Sequence, residues 1–110
     1  MDWNKLGSYY EGFTVFAAGL KDNESLLKLD LRCNEITLPL VKSLVHMGLR
    51  GNMALKTLDL RWNSLGDQGG REILELLNIN HSLEYILLEG NDLMDETSRM
   101  ISNTMAQDDV

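Results

Sequence analysis

The chain has 110 residues, with 17 acidic and 10 basic side chains and a formal net charge of −7. That length holds one modest core, and a composition of 44% hydrophobic and 25% charged residues with a single proline excludes compositional disorder. No apolar run reaches the roughly 20 residues of a membrane span. The opening stretch MDWNKLGSYYEG has no apolar h-region, so neither a signal peptide nor membrane insertion is expected. Cys33 is the only cysteine, which leaves no internal disulfide or multi-cysteine metal site and suits a reducing, cytoplasmic setting. The charge is uneven: residues 1–71 sum to +1 and residues 72–110 to −8. A back half this acidic repels a phosphate backbone, so no nucleic-acid partner is expected.

In chain order, Ser8-x-x-Glu11 has capping-box spacing and predicts a helix running to about Leu20. Leu29 and Leu31 alternate inward as a short, half-buried strand. Thr37 followed by Pro39 opens a second helix, to about Met47. Leu58 and Leu60 repeat the strand pattern. Asp67 opens a third helix, to about Leu77, with Ile73, Leu74, Leu76 and Leu77 on its apolar side. Gly69 and Gly70 weaken that helix, which predicts close backbone packing against the adjacent repeat. A last strand follows, and Asp95 opens a fourth helix, to about Met105, with Met100, Ile101 and Met105 turned inward.

The elements recur because the sequence repeats. Leu26-x-x-Leu29-x-Leu31-x-x-Asn34-x-Ile36 returns as Leu55-x-x-Leu58-x-Leu60-x-x-Asn63-x-Leu65, and again as Leu83-x-x-Ile86-x-Leu88-x-x-Asn91-x-Leu93. The offsets are 29 and 28 residues. The preceding segments align too: Leu20-x-x-Asn23, Leu49-x-x-Asn52 and Leu77-x-x-Asn80. Three in-phase copies of L-x-x-L-x-L-x-x-N-x-L are the leucine-rich repeat pattern. The long period resembles the ribonuclease-inhibitor-like class, which pairs each strand with a full helix. The expected fold is therefore α/β: a curved solenoid of about 3.7 repeats, with parallel strands on the concave side and helices on the convex side. Its repeat units would be 1–25, 26–54, 55–82 and 83–110, forming one domain of a longer protein or assembly. In that family the asparagine hydrogen-bonds the loop backbone of neighbouring turns. Asp2-Trp-Asn-Lys-Leu-Gly7 matches Arg61-Trp-Asn-Ser-Leu-Gly66, which places Met1 at the end of an incomplete strand. Bare solenoid ends invite self-association or partner pairing.

In this architecture the non-leucine strand residues form lanes across the concave face. Lys28, Thr57 and Tyr85 make one; Asp30, Asp59 and Leu87 the next; Asp2, Arg32, Arg61 and Glu89 a third; Trp3, Cys33, Trp62 and Gly90 a fourth. The aspartates would repel unless Arg32 and Arg61 neutralise them. One reading is a self-compensating ion network. The other is a protein-docking patch, since Trp, Tyr and Arg anchor interfaces; its candidate residues are Lys28, Asp30, Arg32, Asp59, Arg61, Trp62, Tyr85 and Glu89. Trp3 and Trp62 around Cys33 could equally form a partly buried apolar lane. No histidine pair has zinc spacing, Gly66-Asp-Gln-Gly-Gly70 lacks the phosphate-loop lysine, and no base serves Cys33, so no cofactor, metal or catalytic site is expected.

Asp2-Trp-Asn-Lys-Leu-Gly7, the aromatic helix after it, Leu29-Asp-Leu-Arg32, Leu58-Asp-Leu-Arg-Trp-Asn63 and Leu65-Gly-Asp-Gln-Gly-Gly-Arg71 together resemble the last repeats of the leucine-rich repeat-containing protein 45 family. The resemblance implies a non-catalytic scaffold in a centrosomal, basal-body or ciliary assembly, with protein partners and a cytoskeletal location. The long coiled coil that follows the repeats in that family has no counterpart here. Two other readings stand beside it. One is an axonemal component packed through its solenoid ends. The other is a regulator of an enzyme or small GTPase, for which Arg50, between helix and strand, is the one basic candidate.

Overall fold

The computed structural model describes residues 10–107. Helix α1 spans Tyr10–Leu20 and buries Phe13, Ala17 and Leu20, which share one face at helical spacing. Strand β1 is Lys28–Asp30, helix α2 Leu38–Ser43, strand β2 Thr57–Asp59, helix α3 Gly66–Leu77, strand β3 Tyr85–Leu87 and helix α4 Asp95–Gln107. The strands form one parallel sheet in the order β1-β2-β3. Parallel neighbours need a crossover, and a helix supplies each one. The core lies between the sheet and the helices. Leu29, Leu31, Leu58 and Leu60 come from the sheet side, and Phe13, Leu40, Leu44, Ile73 and Leu76 from the helices. This is an α/β repeat fold with parallel strands.

Asparagines hold successive repeats together at two corners. Where each strand ends, Asn63 Oδ1 accepts the N–H of Asn34 (2.9 Å) and of Ile36 (3.0 Å), while its Nδ2 donates to the Leu31 and Leu60 carbonyls (2.9 Å each). Asn91 does the same one repeat later, donating to the Leu60 (2.8 Å) and Leu88 (2.9 Å) carbonyls and accepting from the Leu65 N–H (3.4 Å). Asn34 is in line with them; Asn4, expected to begin the row, lies outside the described residues. Before each strand runs a second row. Asn52 Nδ2 donates to the carbonyls of Leu20 (2.7 Å) and Asn23 (3.0 Å), and Asn80 Nδ2 to those of Leu49 and Asn52 (2.8 Å each). Their Oδ1 atoms turn the chain into the strand by accepting local N–H groups: Ala54 and Leu55 for Asn52, Ser82 and Leu83 for Asn80. The sequence shows this second spacing but not its role.

Three helix ends differ from the sequence reading. The cap expected at Ser8 lies outside the described residues. Thr37 sits at the N-cap of α2 without a side-chain hydrogen bond, so Pro39 alone marks that start. The helix then runs past Met47, because α2 continues as a π-helical stretch, Leu44–Leu49, closed by Arg50 N–H to the Val45 carbonyl (3.0 Å). Gly48 lets α1 lie close against this stretch: a Cβ there would collide with the Ala17 carbonyl of α1. Asp67 is not a cap. Helix α3 starts one residue earlier, and the Asp67 carboxylate instead accepts the Met94 N–H of the next repeat and Arg71 Nε (3.0 Å each). The close packing expected of the glycines is present. A Cβ on Gly70 would lie 2.6 Å from the Leu93 side chain in the next repeat, and one on Gly69 2.7 Å from Leu65 in its own.

Candidate interaction face on the sheet

The register fixes the lanes. Lys28 pairs with Thr57 and Thr57 with Tyr85; Asp30 pairs with Asp59 and Asp59 with Leu87. Strand side chains alternate, so Leu29, Leu58 and Ile86 point to the core while these residues point away from it. The alignment continues past the strands. Cys33 N–H donates to the Arg61 carbonyl (3.2 Å) and Trp62 N–H to the Glu89 carbonyl (2.8 Å), which sets Arg61 and Glu89 side by side. Asp2 and Trp3 lie outside the described residues.

Two Asp-x-Arg pairs build the charged part. Arg32 holds Asp30 through Nε (3.0 and 3.1 Å) and Nη2 (2.8 Å), and Arg61 holds Asp59 through Nε (3.0 Å) and Nη2 (2.8 Å). Each aspartate also accepts the backbone N–H of its own arginine, at 3.1 Å. Arg32 Nε reaches across to Asp59 Oδ2 at 3.5 Å, so the two pairs form one lattice. Asp59 is only 1% exposed. Its burial raises the carboxyl pKa, but the Arg61 side chain, backbone N–H and charge outweigh that and hold it below the ordinary value. The Arg32 hydrogen bonds hold Asp30 down likewise. The same bonds push both guanidinium pKa values up. The lattice stops at β3, where Leu87 stands in place of a third aspartate.

Beside it the face turns apolar. Trp62 is 60% exposed, Tyr85 64% and Leu87 37%. Trp62 takes a left-handed φ of 59°, and Gly90 one of 80°. A Cβ on Gly90 would run into the Trp62 ring, so the indole lies directly over the glycine backbone. The partly buried lane considered for Trp62 and Cys33 is absent among the described residues, since both are exposed. Lys28 and Glu89 are exposed at the margins. On this face Tyr85, Leu87 and Glu89 thus follow one another, with Arg61 level with Glu89 and Trp62 over Gly90, and Asp30, Arg32 and Asp59 form the charged flank. Leu87, which the sequence places in one lane with Asp30 and Asp59, is not among the docking candidates, because Trp, Tyr and Arg rather than leucine are the usual interface anchors. Among the described residues no cluster of histidine, cysteine and carboxylate side chains could hold a metal ion. Arg50, the edge candidate, is tied to its own helix through Nη1 and His46 Nδ1 (3.1 Å).

The family model described as Leucine Rich repeat matches residues 22–39 and 51–74. The chain is a leucine-rich repeat protein. It is related to Leucine-rich repeat-containing protein 45 of Gallus gallus, with 50% identity over 36 residues. That match takes in 33% of this leucine-rich repeat chain and only 5% of the relative's length. Among solved structures, "Leiomodin-1 Actin-Binding Site 2 (ABS2)" superposes with a TM-score of 0.79 at 18% identity, covering 94% of this chain and 61% of the other. A tropomodulin C-terminal domain from Caenorhabditis elegans gives 0.60 at 11% identity, covering 98% and 82%. At such identities the likeness is one of fold. No helix among the described residues is long and apolar enough to cross a membrane.

Proposed function

We propose that this leucine-rich repeat chain is a non-catalytic scaffold that captures a protein partner on the outer face of its sheet. The repeats would form a curved solenoid of about 3.7 units, numbered as the 28–29-residue spacing divides them. Trp62, Tyr85 and Leu87 would be the anchors, with Lys28, Asp30, Arg32, Asp59, Arg61 and Glu89 as the polar surround. The observation that carries this reading is the exposed indole of Trp62, fixed over Gly90 on a face that also exposes Tyr85 and Leu87. Rigid, exposed aromatics next to arginine are what interfaces use as hot spots. A centrosomal or ciliary setting is supported by the relative matched over 36 residues, and a cytoskeletal one more broadly by the actin-binding title of the leiomodin neighbour.

The test is sedimentation of the purified chain with isolated centrosomes, with axonemes and with actin filaments. Trp62→Ala/Tyr85→Ala is the informative variant, because both side chains are exposed and outside the core. Arg61→Glu is not, because it strips a buried aspartate of its partner. The chain should pellet with centrosomes, and the double variant should bind about tenfold or more weakly, with an unchanged melting curve. Equal binding by the variant refutes the sheet face. Pelleting with axonemes or actin alone refutes the centrosomal address.

One observation favours attachment through the repeat ends as a second reading. Ile86, Leu88 and Leu93 are only partly buried, whereas their counterparts Leu58, Leu60 and Leu65 are at most 2% exposed. An apolar edge of this kind suits packing into a larger assembly or self-association.

A further inference from the structure

A different surface holds a groove that the sheet-face reading does not use. At the corner where α2 and α3 return to their strands, a groove of 490 Å³ opens between two consecutive loops. Its floor is the second asparagine row, with Asn80 Nδ2 bonded to the Leu49 and Asn52 carbonyls. The two loops are therefore locked together, and the groove is a fixed feature of the stacked repeats. Nine residues line it, and none is a carboxylate, in a chain with 17 acidic and 10 basic side chains. The titratable side chains along it are Arg50, Lys56 and His81. Among the described residues neither Arg50 nor Lys56 has a carboxylate partner, whereas Arg32, Arg61 and Arg71 all do. Arg50 Nη1 meets the ring nitrogen His46 Nδ1, at 3.1 Å, and His46 Nε2 in turn meets Glu72 on α3, at 3.0 Å. Along the rim Lys21 adds a third cation, its stem lying over Gly51, where a Cβ would sit 2.8 Å from Lys21 Cγ. Two apolar side chains stand free beside these charges: Met53, 87% exposed, and Ile79, 43% exposed.

We propose that this groove binds a short acidic segment of a partner protein, with carboxylates on Arg50 and Lys56 and one apolar side chain between Met53 and Ile79. The argument is charge complementarity. Unpaired cations gathered in one concavity of a chain with net charge −7 attract a negative ligand. Methionine is an adaptable contact for an apolar anchor. A carboxylate-bearing peptide uses both features, whereas free phosphate would leave the apolar rim unused.

The experiment is a fluorescence-anisotropy titration of the full chain against three probes: a peptide alternating Glu with Leu, its Gln-for-Glu counterpart, and inorganic phosphate as competitor. The acidic peptide should bind, and rising salt should weaken it, as expected of exposed charges. The Gln peptide should bind about tenfold or more weakly. Lys56→Glu should cause a loss of similar size; Lys56 is exposed and unpaired, so folding is not at stake. Arg50→Glu should add to it, with circular dichroism checking the fold. Trp62→Ala should leave this binding unchanged, which separates it from the sheet face. Equal binding of the two peptides, indifference to Lys56→Glu, or displacement by phosphate at low concentration would each overturn the proposal. So would association of the chain with itself through this corner, read as concentration-dependent sedimentation abolished by Lys56→Glu.

Discussion

Asn63→Ala tests the architecture most directly. The Asn63 carboxamide serves two backbone donors and two acceptors: the N–H groups of Asn34 and Ile36, and the carbonyls of Leu31 and Leu60. Alanine leaves Leu60 with its bond from Asn91. It strands the two donors and the Leu31 carbonyl, all on residues with no exposed surface. A buried unpaired group costs about 1–3 kcal/mol, so three cost roughly 3–9 kcal/mol, less whatever water enters the vacated space. A domain of this size has about 5–15 kcal/mol in all. Urea unfolding followed by far-UV circular dichroism should therefore show a midpoint lowered by about 1.5–4.5 M at a slope of about 2 kcal/mol/M. Asn23→Ala is the internal control. Its oxygen accepts only local donors, the Ser25 N–H and hydroxyl and the Leu26 N–H, in a loop that water reaches. That change should cost about 1 kcal/mol or less. If the two variants lose the same stability, the asparagine rows do not join the repeats and the reasoning fails.

Two further outcomes follow from the geometry. Asp30, Asp59 and Asp67 are all held below the ordinary 3.8, Asp67 by the Thr97 hydroxyl first and then by Met94 N–H and Arg71. In each the folded state binds protons less readily than the unfolded one. Their contribution is therefore complete above about pH 4 and disappears as pH falls below 3.8 through the folded-state values. Melting temperatures should hold from neutrality to about pH 5 and then drop, and Asp59→Asn should flatten the acid limb; an unchanged limb would remove the lattice from the account. Gly48→Ala should destabilise by about 1–3 kcal/mol, because the new methyl meets the Ala17 carbonyl. Gly19→Ala, with nothing within 4 Å, should stabilise α1 by up to about 1 kcal/mol. Thermal melts that rank the two the other way would contradict the close approach of α1 to the π-helical stretch.

The leucines and asparagines made the repeat legible, since both follow from a period the chain cannot hide. The lanes on the sheet were legible too, because parallel register copies sequence spacing. The parts that escaped depend on neighbours in space. Leu87 falls in its expected lane, but its exposure beside the buried Asp59 shows only in the structure. Asp67 reads as a cap until Met94 is seen to donate to it from the next repeat. Asn52 and Asn80 look like loop residues until their side chains are found on the preceding turn. The basic groove draws on residues from two loops, and each alone shows only ordinary surface charge.

The π-helical stretch has a consequence for how such a chain can vary. Asn34, Asn63 and Asn91 each follow the asparagine of the other row, Asn23, Asn52 and Asn80, by 11 residues. On the return arm the count differs: Asn52 follows Asn34 by 18 and Asn80 follows Asn63 by 17. A ring closed five residues back holds one residue more than a ring closed four back, and it occurs in the longer arm. The strand arm thus acts as a ruler of fixed length and the helical arm as slack. Insertions and deletions should collect on the outer arm, where a coil can swell by one residue without moving the face that meets a partner.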